Sequence, residues 1–141
     1  MNTGILQASV AKNLWLNNAN ITKKIDNSLG MLHGIGFTEY MVLNQLMIAP
    51  NKRLRRIDIA ESIGRTASGM TRMLLPMEKI GLIEKEKNPR DARVSLVKIS
   101  ATGETKYEEA TITLNEVSER LFNKLNQKQL TEFMQLLQLL N

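Results

Sequence analysis

The chain has 141 residues, of which 43% are hydrophobic and 23% charged; this predicts one globular domain and argues against a disordered chain or two large catalytic domains. It has no cysteine, which excludes disulfides, thiolate zinc ligands and cysteine nucleophiles, and its formal net charge of +5 favours a polyanionic partner. No stretch approaches the roughly 20 apolar residues that span a bilayer, and the uncharged N-terminus lacks the basic flank of a signal peptide. We therefore expect a cytoplasmic protein that does not contact a membrane.

The first third of the chain predicts two helices. Apolar residues recur at helical spacing from Ile5 to Leu29, which indicates a long first helix, frayed at its start. Residues 30–36 contain three glycines and should break this helix. Thr38 is the predicted N-cap of a second helix, which Pro50 stops.

Two further helices follow at close spacing. Residues 57–63 predict a short third helix that ends on Gly64, because glycine tolerates a left-handed C-cap. Thr66 is the predicted N-cap of a fourth helix. The side of this fourth helix that should face the core consists of Met70, Met73, Leu74, Met77 and Ile80.

The opposite side of the fourth helix is polar and begins at its N-terminus with Ser68, Thr71 and Arg72. Two helices joined by a tight turn, with small polar groups and an arginine on the second, are typical of a helix-turn-helix. A second element that could contact DNA follows the fourth helix directly. Residues 82–87 and 94–99 have strand character and flank a turn predicted at 88–93. They predict a β-hairpin with a basic tip, after which helical periodicity returns from Thr102 to the C-terminus.

The positive charge is concentrated in the middle of the chain. Residues 52–98 contain twelve basic and six acidic residues, whereas the remaining residues contain seven basic and eight acidic. This distribution is expected of a phosphate-binding surface, but charge alone is equally compatible with a solvated basic face. Only 4% of the residues are aromatic, too few for the stacking platforms of single-strand binders, so a nucleic-acid partner should be a duplex.

A catalytic role is not favoured by any motif. His33 is the only histidine, and no carboxylates cluster around it at metal-ligand spacing, so we predict a capping or packing role and no metal site. The sequence has no nucleophile elbow, and Gly34-Ile35-Gly36 lacks the third glycine and preceding strand of a dinucleotide loop. We predict that the protein is not an enzyme and has no cofactor; a small enzyme or ligand-binding protein is kept as an alternative.

Three segments resemble the MarR family of bacterial winged helix-turn-helix transcription factors: TASGMTRMLLPMEKIGLI at 66–83, NPRDAR at 88–93 and VKISATG at 97–103. The similarity covers about residues 37–105. The flanking helices fit the family's dimerisation domain by their layout rather than by motif.

The resemblance implies a mainly α (α+β) fold in a single domain of residues 1–141. The winged helix-turn-helix would span residues 37–101, with its wing hairpin at 82–100, and the dimerisation helices would lie at 5–36 and 102–141. It also implies a homodimer that binds a pseudo-palindromic duplex operator and represses transcription until a small, often anionic aromatic effector binds. The alternative is a winged-helix protein-interaction module that does not bind DNA.

The resemblance further implies which residues meet DNA. The start of the fourth helix would approach bases or phosphates, Arg93 would enter the minor groove with Asp91 holding it by an ion pair, and Arg90 would contact phosphate. The implied DNA-binding residues are Arg65, Thr66, Ala67, Ser68, Gly69, Thr71, Arg72, Arg90, Asp91 and Arg93. Further candidates for phosphate contact are Arg53, Arg55 and Arg56.

Two features depart from the family pattern. Pro76 lies inside the fourth helix, where it removes a backbone N–H and clashes with the carbonyl of Arg72, so we expect a kink or early loosening there. Arg55 and Arg56 stand where the family often has a polar cap, which leaves the start of the third helix open.

Overall fold

The computed structural model describes residues 2–141, so Met1, the first residue of the predicted domain, lies outside the described residues. The mainly α fold is confirmed: the described chain forms six α-helices and a three-stranded antiparallel sheet in the order β1-β3-β2. The elements in chain order are α1 (Thr3–His33), α2 (Phe37–Ile48), β1 (Arg53–Arg55), α3 (Arg56–Ser62), α4 (Ala67–Lys79), β2 (Ile83–Asn88), β3 (Asp91–Ile99), α5 (Ala101–Leu121) and α6 (Gln127–Gln138).

Helix α1 is longer at both ends than predicted. The side chain of Asn2 accepts a hydrogen bond from the Gly4 N–H at 2.7 Å, so the helix begins at a formed cap, ahead of Ile5. The helix continues past Gly30 to His33 and ends at Gly34 with φ 70°, so the break lies inside the predicted segment 30–36 but four residues later than its first glycine. A glycine inside a helix costs only about 1 kcal/mol, which the complete burial of Leu29 beside it offsets.

Helix α2 begins one residue before the predicted cap. Thr38 lies inside the helix, and the carboxylate of Asp26 on α1 accepts a hydrogen bond from the Phe37 N–H at 2.6 Å. A charged acceptor from a neighbouring helix satisfies the free N–H here, so the prediction of Thr38 as N-cap is wrong. The helix ends at Ile48, ahead of Pro50 as expected, and a 3-10 turn at Pro50–Lys52 leads into β1.

The sheet contains a strand that the sequence did not predict. Strand β1 is only three residues long, too short to show an alternating pattern, and it pairs with β3 through Leu54 opposite Val97. Because β1 ends at Arg55, helix α3 begins at Arg56, which fixes the boundary that the sequence left open.

The hairpin of β2 and β3 has a tighter turn than predicted. Only Pro89 and Arg90 separate the strands, so the turn predicted at 88–93 is too long and Asp91 to Arg93 belong to β3. The side chains of Asn88 and Asp91 accept the backbone N–H groups of Arg90 and Arg93 at 2.9 and 3.0 Å, and these local bonds close the turn.

Helix α4 is continuous through Pro76 to Lys79, so the early loosening expected there does not occur. Its buried side chains are Met70, Leu74 and Met77, but Ile80 is 62% exposed because the helix ends before it, and the prediction that Ile80 faces the core is wrong. The core lies around α2, which contacts α1, α3, α5 and the sheet. Between residues 2 and 141 no helix is long and apolar enough to cross a membrane.

Candidate nucleic-acid interface

The turn between α3 and α4 is fixed by backbone and cap hydrogen bonds. Gly64 adopts the left-handed conformation expected of it, with φ 67°, and the Arg65 N–H donates to the Ala60 carbonyl at 2.8 Å. The Thr66 hydroxyl accepts a hydrogen bond from the Gly69 N–H at 3.1 Å, which confirms the predicted N-cap of α4. The first turn of α4 therefore starts from a rigid position.

The outer face of α4 is open to solvent. Ala67, Ser68, Arg72 and Leu75 are exposed, whereas Gly69 and Thr71 are partly buried. No described residue forms an ion pair or side-chain hydrogen bond with Arg72. An unpaired guanidinium and small polar groups on an exposed helix face are suited to the major groove of duplex DNA.

Three predicted arginine sites around β1 and α3 differ in their partners. Arg53 Nη1 lies 2.7 Å from Glu86 Oε1, and Arg55 makes two hydrogen bonds to the Asp58 carboxylate at 2.9 and 3.1 Å, which raise its pKa. Arg56 has no carboxylate partner within the described chain, and its Nη1 donates to the Thr71 hydroxyl at 2.9 Å. Of the three charges, only that of Arg56 is left uncompensated.

The hairpin carries an exposed arginine, Arg93, that is hydrogen-bonded to Asp91. The Arg93 side chain is 91% exposed, yet its Nε lies 3.2 Å from Asp91 Oδ1, so the expected ion pair is present. The Arg93 backbone N–H donates to the same oxygen, and these two hydrogen bonds lower the pKa of Asp91. Arg90 is exposed at the turn itself. The hairpin thus presents two arginines to solvent, one of them oriented by a carboxylate.

A cleft of about 390 Å³ between α4 and the sheet brings several of these residues together. The residues that line it include the apolar Leu74, Leu75 and Val97 and the basic Arg55, Arg56 and Arg93. Thr71 lines the same cleft, whereas Arg65 lies away from it on the turn, with Nη2 at 3.4 Å from the Thr38 hydroxyl. Helix α4 and the hairpin therefore form the two walls of one basic surface.

Polar contacts connect α1 and α2 to α5. The Tyr40 hydroxyl lies 2.7 Å from the Thr111 hydroxyl, Tyr107 donates to Asn44 at 2.7 Å, and the two tyrosine rings stack with centroids 5.1 Å apart. Burial raises the pKa of Tyr40 to about 12. His33 Nε2 lies 2.7 Å from the Thr113 hydroxyl, which agrees with its predicted packing role. The sequence offered no signal for these contacts, because they join residues far apart in the chain.

No group of three or more histidine or carboxylate side chains in residues 2–141 is placed to hold a metal ion. The side chains of Arg55, Arg56, Arg93 and Thr71 offer hydrogen bonding and charge pairing at the basic surface. Such groups bind phosphates and base edges.

Comparison with known proteins places this geometry in context. Residues 37–95 match the model of the MarR family. No curated protein matches the chain.

Several solved structures share the whole fold. A mutant of MarR from E. coli complexed with operator DNA is 18% identical, with 99% of each chain covered and a TM-score of 0.84. A MarR family transcriptional regulator from Streptomyces coelicolor, in complex with DNA, is 19% identical over 99% of this chain and 88% of its own, with a TM-score of 0.85. The transcriptional regulator BldR from Sulfolobus solfataricus is 18% identical over 97% of each chain, with a TM-score of 0.86.

Proposed function

We propose that this protein is a transcriptional regulator of the MarR family that binds double-stranded DNA through α4 and the β2–β3 hairpin. The match of residues 37–95 to the MarR family model supports this proposal. The observation that carries this proposal is the single basic surface on which Arg56 and Thr71 lie opposite Arg93. A helix of this kind fits the major groove, and an exposed arginine at a hairpin fits the narrower minor groove, where the negative potential is strongest.

We propose further that the protein acts as a homodimer through α1 and α6. No residue of α6 is buried, although Leu130, Phe133, Met134 and Leu137 form an apolar stripe at helical spacing. With Leu14 and Ile21 of α1, this stripe lines an apolar groove of about 400 Å³. A continuous apolar surface of this kind is typical of a protein interface. Two-fold symmetry would then place the two α4 helices roughly 34 to 36 Å apart, one turn of a pseudo-palindromic operator.

Repression relieved by a small, anionic aromatic effector completes the proposal. A cavity of about 450 Å³ lies between the α1–α2 region and α4, with Ile35 and Glu39 on one side and Arg72 and Met73 on the other. An aromatic carboxylate bound there would pair with Arg72 and remove it from the DNA. Such a ligand shifts the equilibrium only by its difference in affinity for the free and DNA-bound forms.

The experiment that tests duplex binding is selection of bound sequences from random double-stranded DNA. We expect enrichment of a pseudo-palindromic site, and we expect Arg72→Ala to reduce binding to it. Lys128→Ala is the matched control, because it removes one positive charge from the exposed polar side of α6. A protein-interaction module without DNA binding would enrich no sequence, and that result would overturn the proposal.

A further inference from the structure

The single proton of the Thr71 hydroxyl group is engaged within the protein. The hydroxyl donates this proton to the Ala67 carbonyl at 3.2 Å, one turn earlier in α4, and it accepts a hydrogen bond from Arg56 Nη1 at 2.9 Å. A threonine hydroxyl has only one proton to donate. Thr71 is therefore not free to donate a hydrogen bond to a base unless one of these contacts breaks.

The two hydrogen bonds also fix the direction of the Thr71 methyl group. Threonine in a helix divides between two rotamers, because its hydroxyl can bond the preceding turn or turn away from it. The bond from Arg56 favours one of the two, so the methyl group takes one position relative to the helix axis. In the major groove, a threonine methyl group can make apolar contact with the C5-methyl group of thymine.

Arg56 is suited to hold this arrangement on DNA. Its neighbours Arg53 and Arg55 are paired with Glu86 and Asp58, whereas Arg56 has no carboxylate partner among the described residues. A guanidinium has five N–H donors, and Arg56 uses one of them on Thr71. The remaining donors are available for a phosphate, so one side chain joins the DNA backbone to the base-reading position of α4.

We propose that Thr71 reads a thymine methyl group in each half-site and that Arg56 is the positioning residue that holds Thr71 for this contact while it binds a phosphate. This inference rests on the proposed duplex binding and adds the chemistry by which one base is selected.

The test replaces each thymine of the selected site by deoxyuridine, which removes only the methyl group. For the wild-type protein, one position in each half-site should show binding weakened by about fourfold, as expected for the loss of one buried methyl group. Thr71→Ser keeps the hydroxyl but lacks the methyl group, so it should bind the thymine and uracil duplexes equally at that position.

Arg56→Ala tests the positioning role. It should weaken binding to both duplexes, through the lost phosphate contact, and also reduce the preference for thymine over uracil to less than about twofold. Lys128→Ala is the matched control, because it removes one positive charge from the exposed polar side of α6, outside the basic surface, and it should keep the wild-type preference.

Three outcomes would overturn the inference: a wild-type protein indifferent to every uracil, Thr71→Ser with the wild-type preference, or Arg56→Ala with the wild-type preference. Each of these leaves duplex binding itself in place. Failure of the wild-type protein to bind any duplex overturns the proposed function as well, so the two failures are distinguishable.

Discussion

Charge pairing at single residues sorts the arginines of the basic region into two groups. Arg53 and Arg55 are neutralised by carboxylates, and Arg56 and Arg72 have no carboxylate partner among the described residues. Arg93 combines both properties, because its Nε is paired with Asp91 while 91% of its side chain stays exposed. The net charge counts every arginine equally, but the arginines without a carboxylate partner are the better placed to bind phosphate.

Arg93→Ala tests the hairpin contact. The substitution should weaken binding to the selected duplex by about 1 to 3 kcal/mol, because it removes a groove contact. Fluorescence anisotropy with a labelled duplex measures the change. Lys128→Ala, which removes the same charge from α6, should have a much smaller effect. If the two variants weakened binding equally, Arg93 would act only through its net charge and not through a groove contact.

Tyr40 gives the protein a defined response to high pH. Burial raises its pKa from 10.0 to about 12 in the folded protein. Between these two values the unfolded chain ionises while the folded one stays protonated, so the contribution of Tyr40 to folding is complete below pH 10 and is lost as the pH rises towards 12.

Ultraviolet titration of the phenolate absorbance measures this behaviour directly. The folded protein should show a late ionisation step near pH 12 that is missing in Tyr40→Phe. A wild-type titration curve without such a step would contradict the assignment.

The sequence predicts some helix and strand boundaries better than others. The difference depends on how far apart in the chain the residues lie that define each boundary. Thr66 and Gly64 were predicted correctly because a cap and a left-handed turn depend on neighbours within a few residues. The cap of α2 was missed because its acceptor, Asp26, lies on another helix. Strand β1 was missed because it exists only through its pairing with β3.

The candidate site shows the same division. The polar face of α4 follows from local spacing, whereas the Asp91–Arg93 pair was implied by the resemblance to the MarR family; the structure contains both. The link from Arg56 to Thr71 and the neutralisation of Arg53 by Glu86 join separate elements, and no local pattern indicates them. The DNA contacts themselves stay predictions, since they depend on a partner molecule.

Helix α5 begins against the sheet at a position that requires glycine. A Cβ atom on Gly103 would overlap the carbonyl oxygen of Leu82 and lie 2.8 Å from Ile99 Cγ1. Gly103→Ala should therefore lower the free energy of unfolding by about 1 to 3 kcal/mol, as overpacking does.

Gly30→Ala is the matched control for this prediction. Gly30 lies inside α1 with no atom within 4 Å of its added Cβ, so the same substitution there should stabilise the protein by about 0.5 to 1 kcal/mol. Chemical denaturation compares the two variants. A Gly103→Ala protein as stable as the wild type would show that α5 shifts freely on the sheet.

At the scale of the whole molecule, the apolar surface of α1 and α6 predicts that the monomer is not the functional unit. Phe133→Asp should convert the dimer into a monomer of 16.0 kDa, because it buries a charge in the interface. Gln135→Asp adds the same charge to the polar side of α6 and should leave the dimer intact. Sedimentation equilibrium distinguishes the species, and a wild-type monomer at micromolar concentration would contradict the dimer.

Two-fold pairing would also double the basic surface. Residues 52–98 hold seven of the eight arginines, so a dimer would present two such surfaces to one side of a duplex while the flanking helices stay nearly neutral. Binding by this surface releases counterions from DNA, and each phosphate contact adds about 0.9 to the steepness of log K against log salt concentration.

The most direct test of duplex binding is therefore the equilibrium constant for the selected site measured across a series of salt concentrations. We predict a linear fall of log K with log salt concentration, with a slope of about −4 or steeper, from at least two phosphate contacts on each subunit. A slope near zero, or equal affinity for the selected site and a scrambled duplex of the same composition, would contradict the account.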